Sequence, residues 1–411
     1  MKISHKTSLL SAAIVAAWLI LPLTAQADSA TSFSEVFSKG TPTLDLRLRQ
    51  ESVSDDNFSK DADALTLRAR LGFKTASWNG FSAVVEAEGV DAINDRYNST
   101  ANGNTSFPTV ADPTGTEWNQ AYLGWDSGKG TALAVGRQRL LLDNRRFFGN
   151  VGWRQNEQTF DAISAQHRFG EKTALRYFYI DQANRVFGNG NPNRLLAEFN
   201  LDAHLFQLAH PFSFGTLTGY GYLVDNQDLP LTSTQTFGAR WVGARKFAAD
   251  YSFGYTAEVA DQSDYAGGRA SNDARYLLLE TSLTLPSKHQ LKVGFEQLDG
   301  DGTYAFQTPF ATLHAFNGWA DRFLTTPVNG LDDFYLGIAG PVAPLAPLAY
   351  TVVWHQFDPS HGGGSYGSEW DAQLSLPFAK RYLALLKYAR YQEDGFNRDV
   401  NKLWASVEVK F

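Results

Sequence analysis

The sequence predicts an all-β fold, a transmembrane antiparallel barrel of about eighteen strands, and three observations carry that reading. The first is an alternation that runs to the last residue. Leu403, Ala405, Val407, Val409 and Phe411 interleave with Trp404, Ser406, Glu408 and Lys410. A period of two gives a strand one apolar and one polar face, and such a strand left at an open edge would aggregate. The second is that short turns and long polar connectors take turns along the chain. The third is that no apolar run after Leu23 approaches the roughly 20 residues a membrane helix requires, so a membrane crossing would have to use strands.

Taken in order, Lys2 and Lys6 precede an apolar stretch at 9–23, and Ala25-Gln26-Ala27 has the small-x-small pattern of a cleavage site. Residues 1–27 are therefore expected to be a secretory signal peptide and 28–411 the barrel. Leu44, Leu46 and Leu48 alternate with Asp45, Arg47 and Arg49. Leu65, Leu67, Ala69, Leu71 and Phe73 alternate with Thr66, Arg68, Arg70, Gly72 and Lys74. The segments 81–89, 251–259, 275–285, 291–297 and 370–376 repeat the pattern, with Glu86, Glu88, Glu258, Glu280, Glu296 and Asp371 on polar faces. Each is about ten residues, the length that crosses a bilayer at a tilt.

Short connectors at 78–80, 126–130, 170–172, 247–250, 286–289 and 377–380 carry turn residues. Long ones fall between them at 54–62, 91–116, 140–156, 181–193, 260–272, 299–332 and 358–366. Short periplasmic turns, long external loops and an even strand count are the outer-membrane pattern. A soluble β-sandwich also alternates, but it does not require this asymmetry of turns and loops.

Composition agrees. The 411 residues include 29 Phe, 17 Tyr and 10 Trp, enough for interfacial girdles, and 0 Cys, which excludes a disulfide framework and thiolate metal sites. With 36 basic against 43 acidic residues the net charge is -7, which is no footprint for nucleic acid. There is no Gly-x-Ser-x-Gly motif, the histidines are scattered, and Asp299-Gly300-Asp301-Gly302 lacks the rest of a calcium-loop ligand set. No catalytic residue, cofactor or metal is therefore expected.

If the apolar faces meet lipid, the polar faces line a lumen. Arg47, Arg49, Arg68, Arg70 and Lys74 then share one wall, with Glu86 and Glu88 as neighbouring counter-charges. They serve as a rigidifying ladder of ion pairs, an anion conduit, or both. Leu133 and Val135 would put Arg137 on the lipid face, at a cost of roughly 2 to 4 kcal/mol near the midplane. A bulge at Gly136 would turn Arg137 into the lumen, and that is the expectation. Arg145 and Arg146 fall in an external loop, where they would meet lipopolysaccharide phosphates or local carboxylates, and cargo only if the loop folds inward. Phe306, Phe310, Phe316 and Trp319, with His314 and Asp321, lie in a loop too apolar to remain in water, so it is expected to pack inside the lumen or on a neighbouring loop.

Val135-Gly136-Arg137-Gln138, Trp153-Arg154, Thr159-Phe160-Asp161 and the stretch 306–321 (FQTPFATLHAFNGWAD) resemble the alginate-export family of outer-membrane porins. The resemblance implies an eighteen-stranded monomeric barrel, narrowed by inward-folding segments and lined by arginines, that exports an anionic polyuronate. It also implies Arg137 as a lumen arginine and Asp161 as its neighbouring wall acid. The expected partners are outer-membrane lipid and lipopolysaccharide, an anionic saccharide or small organic solute, and periplasmic secretion partners. A channel for uptake or general diffusion of small organic solutes is the alternative, and a barrel enzyme or adhesin is the alternative of another class.

Overall fold

A computed structural model describes residues 29–248 and 250–411. The signal-peptide expectation for 1–27 lies outside them. A short helix, α1 (Phe33–Ser38), leads into β1 (Thr41–Asp55), β2 (Ala62–Lys74), β3 (Phe81–Ala92), β4 (Gly115–Asp126), β5 (Thr131–Gln138) and β6 (Thr159–Phe169). Next come β7 (Thr173–Asn184), α2 (Arg194–Ala197), β8 (Glu198–Phe212), β9 (Gly215–Asn226), β10 (Thr234–Phe247), β11 (Tyr251–Asp264) and β12 (Ala274–Thr284). The chain ends with β13 (Gln290–Leu298), β14 (Leu331–Pro341), β15 (Ala349–Asp358), β16 (Gly367–Phe378), β17 (Tyr382–Glu393) and β18 (Val400–Lys410).

Each strand pairs antiparallel with the next in one 18-stranded sheet. β18 returns to β1 in a register from Asp45 opposite Lys410 to Asp55 opposite Val400. Phe411 then exchanges backbone hydrogen bonds with Leu44 at 2.8 and 3.1 Å. The alternation that would be an aggregating edge in an open sheet is thus the seam of a closed barrel.

The two faces separate cleanly. Leu48, Leu67, Leu123, Val135, Val293, Leu374 and Val407 are exposed on the outside, whereas Arg49, Arg68, Glu88, Glu258, Glu296 and Glu369 are buried within. An apolar outer face over a polar interior suits a bilayer and would be unstable in water, so this is a barrel of the bacterial outer membrane. Connectors at one end are short, as at 127–130, 170–172, 213–214 and 379–381. At the other end 93–114, 139–158, 185–197 and 299–330 are long, which makes that end external.

Two of the long connectors fold into the lumen and hold each other there. The Gly149 N–H donates to the Phe310 carbonyl at 2.9 Å, and the Thr312 N–H donates to the Arg145 carbonyl at 2.9 Å. Phe148 stacks on Phe310 with centroids 5.5 Å apart. Phe147 packs edge-on against Phe306 and Tyr276. The main apolar core therefore lies inside the barrel, between loop and wall.

Gly136 has φ +124°, and a Cβ there would strike the Ala121 carbonyl. Gly136→Val should destabilise the barrel by about 1–3 kcal/mol, read as a lower temperature for loss of the heat-modifiable electrophoretic band.

Candidate functional site: a plugged lumen

The wall built from β1 to β3 holds the external end of the plug. Arg47 donates through Nε to Gln155 Oε1 at 2.9 Å and through Nη1 to the Gly152 carbonyl at 3.1 Å. Arg49 donates to the Trp153 carbonyl and pairs with Asp112. Arg154 reaches back to Glu51 at 3.0 Å, and the Gln155 N–H donates to Asp112 Oδ1 at 2.8 Å. Arg68 pairs with Glu408 at 2.8 Å, and Arg70 pairs with Glu88 while donating to the Gln155 carbonyl at 3.3 Å. Burial raises the Asp112 carboxyl, but Arg49 and Arg154 outweigh it and hold the group below the usual carboxylate range. Glu157 behaves alike: despite burial, Arg70 and Arg139 lower it to about 2.

Arg47, Arg49, Arg68 and Arg70 thus share one inner wall, with Lys74 at its periplasmic end. Glu86 faces inward beside them, bonded to Asn119, Gln120 and Arg139. The wall is a set of anchors rather than an open conduit. Arg49 and Arg68 are each 1% exposed and ion-paired, Arg49 to Asp112 beside the Trp153 carbonyl and Arg68 to Asp45 and Glu408 of the wall. Ions this deeply buried must be paired, and removing one partner typically costs about 3–5 kcal/mol.

A second anchor lies in 299–330. His314 stacks on Trp153 at 4.4 Å, accepts a hydrogen bond from Lys387 at Nε2 (2.7 Å) and donates from Nδ1 to Asp321 (2.7 Å). Lys402 reaches the other Asp321 oxygen at 2.8 Å. The tautomer follows from the partners: a lysine at Nε2 requires that nitrogen to be the acceptor. Trp319 and Ala320 donate backbone N–H groups to Asp371 at 3.1 Å and to Glu369 at 2.6 Å. Arg146 closes the set, bonding Glu296 at 2.7 Å, Thr308 at 3.1 Å and Asn317 at 3.0 Å, with its guanidinium 4.8 Å over Phe316. Phe306 and Phe310 are buried in the core beside it.

On the periplasmic side of these anchors is a cavity of about 790 Å³. Gln138, Arg139, Arg145, Arg176, Arg240 and Lys292 face Asp143, Glu280, Glu296 and Asp333 across it, with Phe178, Phe316, Trp319 and Tyr335 between. Arg240 pairs with Glu258 and Lys292 with Glu280 (3.0 Å). Among the described residues neither Arg145 nor Arg176 forms an ion pair, although Arg176 lies within the field of Asp143, and burial lowers the Arg145 pKa from its usual value. No group of three His, Cys, Asp or Glu side chains suits a metal ion among the described residues.

Arg137 is not in the lumen. The register through Gly136 is unbroken on both sides, opposite Tyr122 of β4 and Ala162 of β6. The expected bulge is absent there, so alternation keeps Arg137 on the face of Leu133 and Val135. The cost is reduced by place and partner. The residue sits at the external end of β5, where its guanidinium takes both Asp161 oxygens at 2.7 and 2.9 Å and the Trp118 carbonyl at 3.3 Å. Arg139, beyond the last paired residue of β5, is free to turn inward to Glu86 and Glu157. The signal for Lys402 was present, since it shares a polar face with Ser406 and Glu408, whereas Arg176 shares its face with Phe178 and Ile180 and Lys387 shares its face with Leu385 and Ala389, so alternation did not mark them. Asp112 and Arg154 sit in irregular segments with no comparable signal.

Burial lowers His314 to about 3, and although burial raises Asp321, its contacts with His314, Lys402 and Arg154 bring it well below the usual range. A histidine with a depressed folded pKa stabilises the plug above its ordinary value near 6.5 and progressively less as pH falls from there toward 3. Protonation also places an imidazolium against the Lys387 ammonium. The plug should therefore loosen in that acid window, read as rising single-channel noise and faster proteolysis of 299–330, and His314→Gln should flatten the response.

Compared with known protein families and with curated protein sequences, the chain matches none. Its fold is similar to that of Acinetobacter baumannii OccAB2, with TM-score 0.71 and 14% identity over 92% of this chain and 99% of that one. Pseudomonas aeruginosa OccK2 (OpdF) aligns with TM-score 0.70 and 12% identity over 92% and 98%. Pseudomonas aeruginosa OpdK, solved with vanillate, aligns with TM-score 0.69 and 14% identity over 90% and 98%. These neighbours, Occ and Opd outer-membrane porins, correct the resemblance to the alginate-export family: the fold is similar to that of the Occ and Opd porins.

Proposed function

We propose that the chain is an outer-membrane channel through which small hydrophilic organic anions, carboxylates above all, diffuse into the cell. The observation that carries this reading is that Arg145 and Arg176 border the cavity outside any ion pair, while the wall arginines are paired or bonded to loop carbonyls. A half-buried guanidinium outside any ion pair favours an anion that supplies one, and its fork suits a carboxylate.

Size and lining narrow the class. A cavity of about 790 Å³ is of small-molecule scale. Phe178, Phe316, Trp319 and Tyr335 offer apolar surface for a ring, and Asp333, Glu296 and Glu280 set a repulsive limit on how tightly an anion is held. Weak, balanced binding is what passage through a pore requires. The vanillate in the OpdK structure, an aromatic carboxylate, accords with this class.

Reversal potentials in planar bilayers under a salt gradient test the proposal. The parent should be anion-selective and its current should be blocked by millimolar vanillate. Arg145→Ala with Arg176→Ala should lose the selectivity and weaken the block roughly tenfold, the scale of a charge-assisted hydrogen bond. Arg137→Ala, on the outer face, should leave both unchanged. A cation-selective or indifferent parent pore would overturn the assignment of anions.

A further inference from the structure

The outer face of the periplasmic rim carries a charge that the protein does not neutralise. On β10, Arg240 and Val242 border the internal cavity, so Phe237, Trp241, Arg245 and Phe247 share the lipid face. Arg245 is exposed, lies opposite Phe253 in the register with β11, and has no ion-pair partner among the described residues. The pairing of β10 with β9 ends at Val242 opposite Thr216, so no strand residue flanks Arg245 on that side.

The surroundings are those of a membrane boundary. Phe212, Phe214 and Trp241 form a stack, with Phe212 to Phe214 at 5.9 Å and Phe214 to Trp241 at 4.8 Å. Phe247 stacks on Tyr251 at 5.8 Å. Such a plate marks the level where acyl chains give way to headgroups. Lys288 adds positive charge on the next turn of this rim and Lys172 lies further along it, against Glu171 and Asp250. An arginine on a lipid-facing surface, set among aromatic rings, lacks a carboxylate and lies where headgroup phosphates run.

We propose that this rim is a binding site for an anionic phospholipid of the inner leaflet, with Arg245 holding the phosphate, the aromatic plate seating an acyl chain, and Lys288 and Lys172 adding attraction. Arg245 projects toward the bilayer and away from the pore, so the site is independent of the cargo. The leaflet follows from the short turns at this end. A forked guanidinium takes two phosphate oxygens, and the surrounding lysines favour a headgroup with net negative charge over a zwitterionic one.

The test is native mass spectrometry of the full-length barrel released from bilayers of equal phosphatidylglycerol, phosphatidylethanolamine and lipid A. The parent should retain phosphatidylglycerol in preference to phosphatidylethanolamine. Arg245→Gln should cut that preference about fivefold, the scale of one cationic side chain at a membrane surface, and Arg245→Lys should keep most of it. Heat-modifiable migration and unaltered conductance establish that each variant is folded. Equal retention of the two phospholipids by the parent, an unchanged preference in Arg245→Gln, or retention of lipid A above phosphatidylglycerol would each overturn the proposal.

Discussion

The structure depends on the rule that a charge taken out of water must be matched where it lies. The inner wall carries arginines at 47, 49, 68 and 70, and a barrel of eighteen strands is too wide for its own side chains to fill. Left facing an empty lumen, these cations would repel one another. The wall carboxylates and the backbone carbonyls of 152–155 match them, and that demand brings the external loop inside. The plug is therefore an electrostatic consequence of the wall, with the aromatic core of Phe147, Phe148, Phe306 and Phe310 adding the apolar burial that makes the inward position compact.

The barrel was legible because alternation is a local property. Each residue from Leu403 to Phe411 declares its face without reference to any distant partner, and closure against β1 follows once both faces are known. The inward packing of 299–330 was legible for a related reason: aromatic rings at 306, 310, 316 and 319 have no stable place in water. What alternation could not reveal is pairing across the lumen. Arg49 and Asp112 are 63 positions apart, and Arg146 and Glu296 are 150 apart. Only the closed barrel makes neighbours of them.

Arg137 shows how a sound cost argument can yield the wrong address. A lone arginine against lipid is expensive at the midplane, and the glycine before it offered a way out. The chain instead keeps its register, places the residue at the external end of β5, and gives it a bidentate acid two strand positions from Ile163. The partner offsets the penalty that the bulge was invoked to avoid. Gly136 has a different task. Its positive φ and the nearby Ala121 carbonyl require a residue without a Cβ, whichever face its neighbours take.

The same accounting explains why the engaged arginines are poor candidates for cargo and the unengaged ones are good. A guanidinium already bonded to carbonyls and a carboxylate gains little from a passing anion, since it would have to give up one set of contacts for another. Arg47 and Arg70 bond loop carbonyls, and Arg49 and Arg68 are already ion-paired within the wall and plug. Arg145 lies on the same loop as Arg146, yet Arg146 is anchored to Glu296 whereas Arg145 borders the cavity. Adjacent residues thus differ in their surroundings: one arginine fixes the loop, and the next borders the cavity outside any ion pair. A lumen of uniformly free arginines would bind anions too tightly to conduct, and one of uniformly paired arginines would not select. The mixture is what a passive channel for anions requires.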